Sequence, residues 1–414
     1  MDPDEHLFRR ESGRMVAALT RIFGVHNLAL AEDVVQDAFF RALEVWKVRG
    51  VPENPSAWLM ATAKHRAVDV MRRERTALRL APDVGRRLEE EGAIASVVDD
   101  AFVERTIQDE QLRMMFSCCH PRLPEDAQIA LILNILCGFG ASEIASAFLT
   151  GRAAIEKRIS RGKKVLAGSK RLFDLADDEF ASRLSVVQHA LYLLFNEGYH
   201  GASGESAVRV ELCGEAVRLV VLLIAHAPTA TPATYALAAL MNLHAARLPA
   251  RIDSAGDLCS LVDQDRSRWD ARLIADGLTY LERSATGTEL TAYHIEAAIA
   301  AVHASASSTD ATNWNEIVPL YDRLMDIEPS PVVALNRAIA VAQRDGPARG
   351  IAELNAIQDR DRFDRYPFYA AALGELEARR GNAGAARTHF TAALALARNP
   401  SEKRFLERRV SQSS

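Results

Sequence analysis

Gly138–Leu166 reads GFGASEIASAFLTGRAAIEKRISRGKKVL: two short helical patterns joined by a tight turn, the second heavily basic. Ile144, Ala145, Phe148, Ile155 and Ile159 recur at the spacing with which a helix-turn-helix buries its small core. Arg152, Lys157, Arg158, Arg161, Lys163 and Lys164 crowd the second helix and its end, and only Glu156 opposes them. A helix of this charge can lie in a DNA major groove with its Lys and Arg on phosphates.

Outward from this stretch, 414 residues are too many for one small domain. Alanine and leucine abound and β-branched alternation is scarce, which predicts an all-α fold. The charged opening Met1–Arg10 does not read as a secretory leader. The apolar runs Ile129–Leu136 and Val217–Ala225 are too short to span a bilayer, so no membrane partner is expected. Five cysteines without framework spacing suit a reducing cytoplasm. The net charge of −5 is uneven: residues 1–171 hold 26 Lys+Arg against 24 Asp+Glu, and the remainder 24 against 31. DNA contact is therefore expected to be local and N-terminal.

Before the basic stretch, the pattern predicts helices over Glu11–Phe23, Leu30–Val48 and Ser56–Arg75. Asp33, Gln36 and Asp37 fall at i, i+3 and i+4 and share one face of the second helix, either as solvated surface or as a contact. In the third, Trp58, Leu59, Ala63, Ala67, Val70 and Met71 form an apolar face. Lys64, His65, Arg66, Arg72, Arg73 and Arg75 form a basic one. Pro82, Gly85, Gly92 and the acidic runs Glu89–Glu91 and Asp99–Asp100 mark a linker. Helices resume near Val103. In Leu123–Cys137, Pro124 suits a first helical position, and Glu125 and Asp126 favour the positive end of the helix dipole. Adjacent Cys118 and Cys119 beside His120 chelate one ion poorly and read as buried structure rather than a zinc site.

The segments AEDVVQDAFFRAL, NPSAWLMATAKHRAVDVMRRE and LPEDAQIALILNILCGFGASEIASAFLTGRAAIEKRISRGKKVL, in this order, resemble a bacterial extracytoplasmic-function (ECF) sigma factor of the sigma-70 family over residues 8–168. The resemblance implies core RNA polymerase and promoter DNA as partners. Asp33, Gln36 and Asp37 match the positions that grip the polymerase clamp helices. Trp58, Lys64, His65, Arg66, Asp69, Arg72 and Arg73 match the segment that melts and captures the minus-ten element. Many relatives carry Asn where this chain has His65, which reads either as a base reader or as a surface histidine. Ala153, Glu156, Lys157, Ser160 and Arg161 match groove-facing positions at the minus-thirty-five element, and Arg152, Lys163 and Lys164 are placed for phosphate. Glu156 could accept from a cytosine amino group or pair within its own helix. Leu149 stands where relatives place a turn glycine, and Gly162 falls late in the recognition helix.

Such a protein would end near residue 175; here helical patterns continue. They cover Ser185–Gly198 with Gly198 as its C-cap, Glu211–Ala227, Pro232–Ala246, Leu258–Gly277, Thr291–Ala304 and Trp314–Ile327. Leu373-Gly374, Ala386, Phe390 and Ala393 resemble a tetratricopeptide (TPR) repeat, with Gly381–Gly384 as its turn and Pro331–Ile357 as a degenerate preceding unit. NEGYHGASG (Asn196–Gly204) and QDRSRWD (Gln264–Asp270) concentrate polar and aromatic groups. Together with SPVVALNRAIAVA (Ser330–Ala342) they resemble the ECF subgroup whose fused extension regulates the sigma domains. Asn196, Glu197, Tyr199, Asp265, Arg266, Arg268 and Trp269 are then regulatory candidates, with a small regulatory protein as a further partner of this half. The other reading makes them helix-end packing devices, with Arg266, Arg268, Asp265 and Asp270 in local ion pairs. His294 and His303, nine apart, do not share a metal-binding face. No cofactor motif, nucleophile triad or phosphate loop is present, so no enzymatic activity is expected.

The expected organisation is therefore all-α. It comprises a sigma region 2 domain (8–76), a linker (77–105), a region 4 helix-turn-helix (106–170), a helical extension (171–309) and TPR-like repeats (310–408). A polymerase-independent helix-turn-helix regulator with a TPR sensor is the alternative. A third reading is a ligand-binding or enzymatic helical protein with its site around Tyr199 and Trp269.

Overall fold

The computed structural model describes residues 3–24, 27–79, 98–99, 101–102, 104–148, 150–168, 177–200, 208–253, 257–358, 363 and 366–413. Most of the expected linker, Leu149 and residues 201–204 lie outside these. Among the described residues there are nineteen α-helices, and the only β pairing is a single bridge, Ile252 with Leu258. The chain falls into two units, Met1–Leu191 and Tyr192–Ser414.

The first unit begins with α1 (Pro3–Phe23), α2 (Leu28–Arg49) and α3 (Pro55–Arg79). They pack through alanines and aliphatics at helical spacing: Ala17, Ala18 and Leu19 from α1, Ala31, Val34, Val35 and Ala38 from α2, and Leu59, Ala63 and Ala67 from α3. Buried Glu11 is satisfied by Ser56 Oγ, which donates at 2.7 Å, and by Arg14 at 3.2 Å. The C-terminal helices of this unit are α4 (Glu104–Cys118), α5 (Glu125–Ile135), α6 (Ala141–Ala147) and α7 (Arg152–Ala167). Ala127–Leu133 and Ile135 of α5 are all buried, so after its first turn this short helix is enclosed around nearly its whole circumference. Pro124 is its N-cap in extended conformation, one position before the helix proper, and its carbonyl accepts from the Ala127 and Gln128 amides. Gly162 does not end α7. It lies where a Cβ would come within 2.7 Å of Leu131 Cδ1, so the helix runs on while its bare backbone rests on α5.

Helix α8 (Asp177–Tyr199) contains the division between the units. In the first unit its Phe180 meets Phe116 edge-on at 4.7 Å, and Arg183 donates to the Phe116 carbonyl at 3.1 Å. The second unit continues with α9 (Val210–Ala225), α10 (Pro232–Ala245), α11 (Leu248–Arg251), α12 (Ala271–Ser284), α13 (Ala292–Ser305) and α14 (Trp314–Ile327). Two expectations are corrected here. Gly198 is a helical residue, not a C-cap; a Cβ there would sit 2.8 Å from Cys213 Sγ and 2.9 Å from the Arg209 carbonyl, so glycine permits a close crossing with α9. Leu258–Gly277 is not one helix. Asp265 caps a short 3-10 turn, Arg266–Arg268, and Asp270 caps α12 by accepting from the Arg272 and Leu273 amides. The ion pairs that one of the two readings placed among Arg266, Arg268, Asp265 and Asp270 are replaced by these caps, because short acidic side chains reach nearby backbone amides first.

The chain ends in helical pairs: α15 (Pro331–Asp345) with α16 (Pro347–Ala356), then α17 (Pro367–Arg379) with α18 (Ala383–Ala395), followed by α19 (Pro400–Gln412). Each pair turns at a glycine of positive φ, Gly346 (93°) and Gly381 (77°). Gly374 lies against the Phe390 ring and Gly350 against Ala342, so small residues set how closely each pair approaches.

In the first unit, α1 passes so close to the end of α5 that a Cβ at Gly13 would lie 2.0 Å from the Leu136 carbonyl oxygen. Gly13→Ala is expected to destabilise the first unit by about 2–3 kcal/mol, since the obstacle is backbone and cannot rotate away. Urea unfolding of the full chain measures it; an unchanged midpoint would contradict this crossing.

Candidate nucleic-acid interface

Helix α7 is the basic element read from the sequence. Ile155, Ile159, Gly162 and Leu166 face inward, and Ile144 and Ala145 of α6 are buried with Ile155 and Ile159, while Phe148 is half-buried. Inward placement at i, i+4, i+7 and i+11 leaves the opposite face free. Arg152, Ala153, Glu156, Lys157, Ser160, Arg161 and Lys164 are all exposed. The cations divide into two groups. Arg152 donates to Glu156 at 2.7 Å, Arg158 pairs with Asp126 at 2.9 Å, and Lys163 with Glu32 at 2.6 Å. Lys157, Arg161 and Lys164 have no ion pair among the described residues. Glu156 thus has an intrahelical partner, and Lys163 is held against α2 rather than presented outward.

A second cationic surface lies on α3. His65, Asp69, Arg72 and Arg73 are exposed, whereas Trp58, Lys64 and Arg66 are half-buried. Trp58 meets Trp46 edge-on at 5.5 Å. Lys64 is ion-paired with Asp99, and Arg66 reaches across to Asp37 of α2, its Nε 3.0 Å and Nη2 2.8 Å from Oδ2. Asp33, Gln36 and Asp37 are exposed on one face of α2, opposite the buried Val34, Val35 and Ala38. Asp37 therefore belongs to both surfaces: it sits on the acidic face and holds a cation of the basic one.

The two cationic surfaces share one unit. Arg9 of α1 donates to Glu143 of α6 at 2.9 Å, and Glu32 of α2 receives Lys163 of α7. Neither partnership was visible in the sequence, where the residues are more than a hundred positions apart. Cys118 and Cys119 are buried, and burial pushes the Cys119 thiol up to about 12, leaving it neutral at pH 7.

In the second unit, Tyr199 and Trp269 are buried, Asn196 is half-buried and Glu197 is 8% exposed. Arg266 is half-buried and donates to the His303 and Ala306 carbonyls at 2.5 and 2.6 Å, with its guanidinium 4.8 Å from the Trp269 ring centre. Arg268 and Asp265 are exposed. The structure thus joins Arg266 and Trp269. It adds Arg247 and Arg251, which sequence reasoning missed because two arginines four apart carry no distinctive signal. His294 Nδ1 accepts from the Thr291 amide and closes a capping box. No group of three or more His, Cys, Asp or Glu among the described residues could hold a metal ion, and no described helix is long and apolar enough to cross a membrane.

Comparison with known proteins agrees with the N-terminal geometry. Residues 7–77 match sigma-70 region 2, residues 113–166 match sigma-70 region 4, and residues 183–285 match a family of unknown function, DUF6596. The chain is also 38% identical over 394 residues to an uncharacterized protein of Rhizobium meliloti (strain 1021), R00370, covering 94% of this chain and 91% of that one.

If the exposed cations of α7 meet phosphates, Lys157→Gln and Arg161→Gln should each weaken duplex DNA binding. Each should also reduce the steepness of log K against log salt by about one unit. Fluorescence anisotropy over a salt series reads both effects; an unaltered salt slope would remove the face from the interface.

Proposed function

Because the chain belongs to the sigma-70 family of RNA polymerase sigma factors, we propose that it directs promoter recognition and transcription initiation as an ECF-type member. Residues 8–76 would bind core polymerase and the minus-ten element, and residues 106–170 the minus-thirty-five element. The observation that carries this reading is that two surfaces occur together in the first unit. One is the exposed Asp33–Gln36–Asp37 face beside the cations of α3; the other is the outward face of α7. A free-standing helix-turn-helix regulator has use for α7 alone and gives the α2 face no task.

In this reading, Asp33, Gln36 and Asp37 engage the polymerase clamp. His65, Arg72 and Arg73 meet melted DNA beside Trp58, where stacking and cations together hold single strands. Lys157, Ser160 and Arg161 meet duplex bases, with Arg152 and Lys164 at phosphates. Lys64, Arg66 and Lys163 would exchange their intramolecular carboxylates for phosphate on promoter engagement. The chain carries no chemical step; phosphodiester synthesis belongs to the polymerase. Such a protein works in the cytoplasm.

The C-terminal half is proposed to regulate this activity through TPR-like pairs after residue 310 and the segment around Tyr199 and Trp269, with a small protein as a ligand of that half. The glycine-set approach within α15–α16 and α17–α18 supports the TPR likeness. Trp269 and Tyr199 are buried, so their part in regulation lies within the second unit rather than on an exposed surface.

Transcription from a candidate promoter with purified core polymerase tests the reading. A promoter complex that forms without polymerase and never yields a polymerase-dependent transcript would favour the free-standing regulator. Asp33→Arg should weaken core binding about tenfold by setting a cation against the basic clamp surface. It is a cleaner probe than Asp37→Arg, which also removes the partner of Arg66. Equal affinity of Asp33→Arg and native chain for core would remove the α2 face from the contact. Deleting residues 192–414 while keeping Phe180 and Arg183 in place should change transcript yield; identical yield and promoter choice would end the regulatory role.

A further inference from the structure

Arg247 and Arg251 stand at the two ends of α11 in the second unit, and both are half-buried. Neither meets a carboxylate among the described residues. Arg247 Nε donates to Gln264 Oε1 at 3.3 Å, and its guanidinium lies 5.4 Å from the Trp269 ring centre. The Arg251 guanidinium lies 4.1 Å from the Tyr199 ring centre, and its Nε is buried with no hydrogen-bond partner. Arg266, close by, is in contrast engaged by the carbonyls at the end of α13.

The groups around the two arginines add no negative charge, and several of their polar atoms are unmet. Tyr199 is 3% exposed, and its hydroxyl has no hydrogen-bond partner. Trp269 is 7% exposed, and its indole N–H is likewise unpartnered. The His244 ring lies 5.1 Å from that of Tyr199 with its Nδ1 unmet. Burial first, then Arg247 and Arg251, hold this imidazole well below its usual range, so it stays neutral. His303 is pushed down to about 4 by burial and by Arg247 and Arg266.

Desolvated cations are costly unless matched by opposite charge. Buried hydroxyl and indole groups with no partner are uncommon in folded proteins and call for an explanation, which a bound polar group supplies. Two unmatched guanidinium groups call for two negative charges, which a phosphate monoester carries near neutral pH and a monocarboxylate does not. We propose that Arg247, Arg251 and the Tyr199 hydroxyl, backed by Trp269, form a binding site for the dianionic phosphate of a small phosphorylated molecule. It lies within the segment matching the family of unknown function. The second unit would then sense a metabolite by neutralising this cluster.

Titration calorimetry of the full chain in phosphate-free buffer, with inorganic phosphate as probe and acetate at equal ionic strength as the single-charge control, tests the site. Phosphate should give a saturable one-to-one isotherm, with acetate at least about tenfold weaker. Arg247→Gln/Arg251→Gln should abolish phosphate binding while the helical circular dichroism and Tm in phosphate-free buffer hold, since two repelling charges are lost with their stacking. Tyr199→Phe, which removes one oxygen and keeps the ring, should weaken phosphate several-fold and serves as the deciding variant if the double substitution does not fold. No saturable heat with the native chain, acetate equal to phosphate, or native-like binding by Tyr199→Phe would overturn the proposal. Polymerase takes no part in the measurement, so its outcome is independent of the sigma reading.

Discussion

The first unit depends on the passage of α1 across the end of α5, where Gly13 lets two backbones approach with no side chain between them. Helix α1 also packs on α2, α3 and α4, so this approach fixes the acidic face of α2 and the basic face of α7 in one frame. The ion pairs Arg9–Glu143 and Lys163–Glu32 lie around it. Partly exposed pairs of this kind contribute at most about 1 kcal/mol each. Close packing therefore holds the arrangement, and the charges select its register. That division suits a structure in which cations are later to be given up to phosphate.

The fold was most legible where one periodicity ran between clear stops. Trp314–Ile327 reads as a helix from its apolar spacing and is that helix. The basic helix could be placed because its buried and exposed residues separate cleanly by spacing alone. Legibility failed where one residue had two physical uses. Gly198 has the composition of a helix end but is needed for close approach to Cys213. Asp265 and Asp270 interrupt Leu258–Gly277 because each caps its own following turn, which an apolar-periodicity reading does not register. For the candidate interface, exposure of Lys157, Ser160 and Arg161 followed from the pattern. The partners of Lys64, Arg66 and Lys163 did not, because they come from distant positions that only the tertiary fold brings near.

The two units use charge in opposite ways. In the first, cations are half neutralised by carboxylates of the same unit, so the positive field of α7 is narrower than its six basic residues suggest. In the second, net negative by composition, Arg247 and Arg251 are gathered beside buried aromatics with no ion pair among the described residues. Net charge would have pointed away from that cluster, since composition averages over the placement that matters.

Gly162 carries one more consequence. A glycine within a helix costs about 1 kcal/mol relative to alanine, and here that cost is offset by contact of α7 with Leu131. The reading face is thus not a self-sufficient module. Its seat is on α5, so α7 transplanted into another helix-turn-helix without a matching leucine would carry the cost of Gly162 with no contact to offset it. Residue changes on the outward face can alter what is read, but the helix that presents them belongs to the core beneath it.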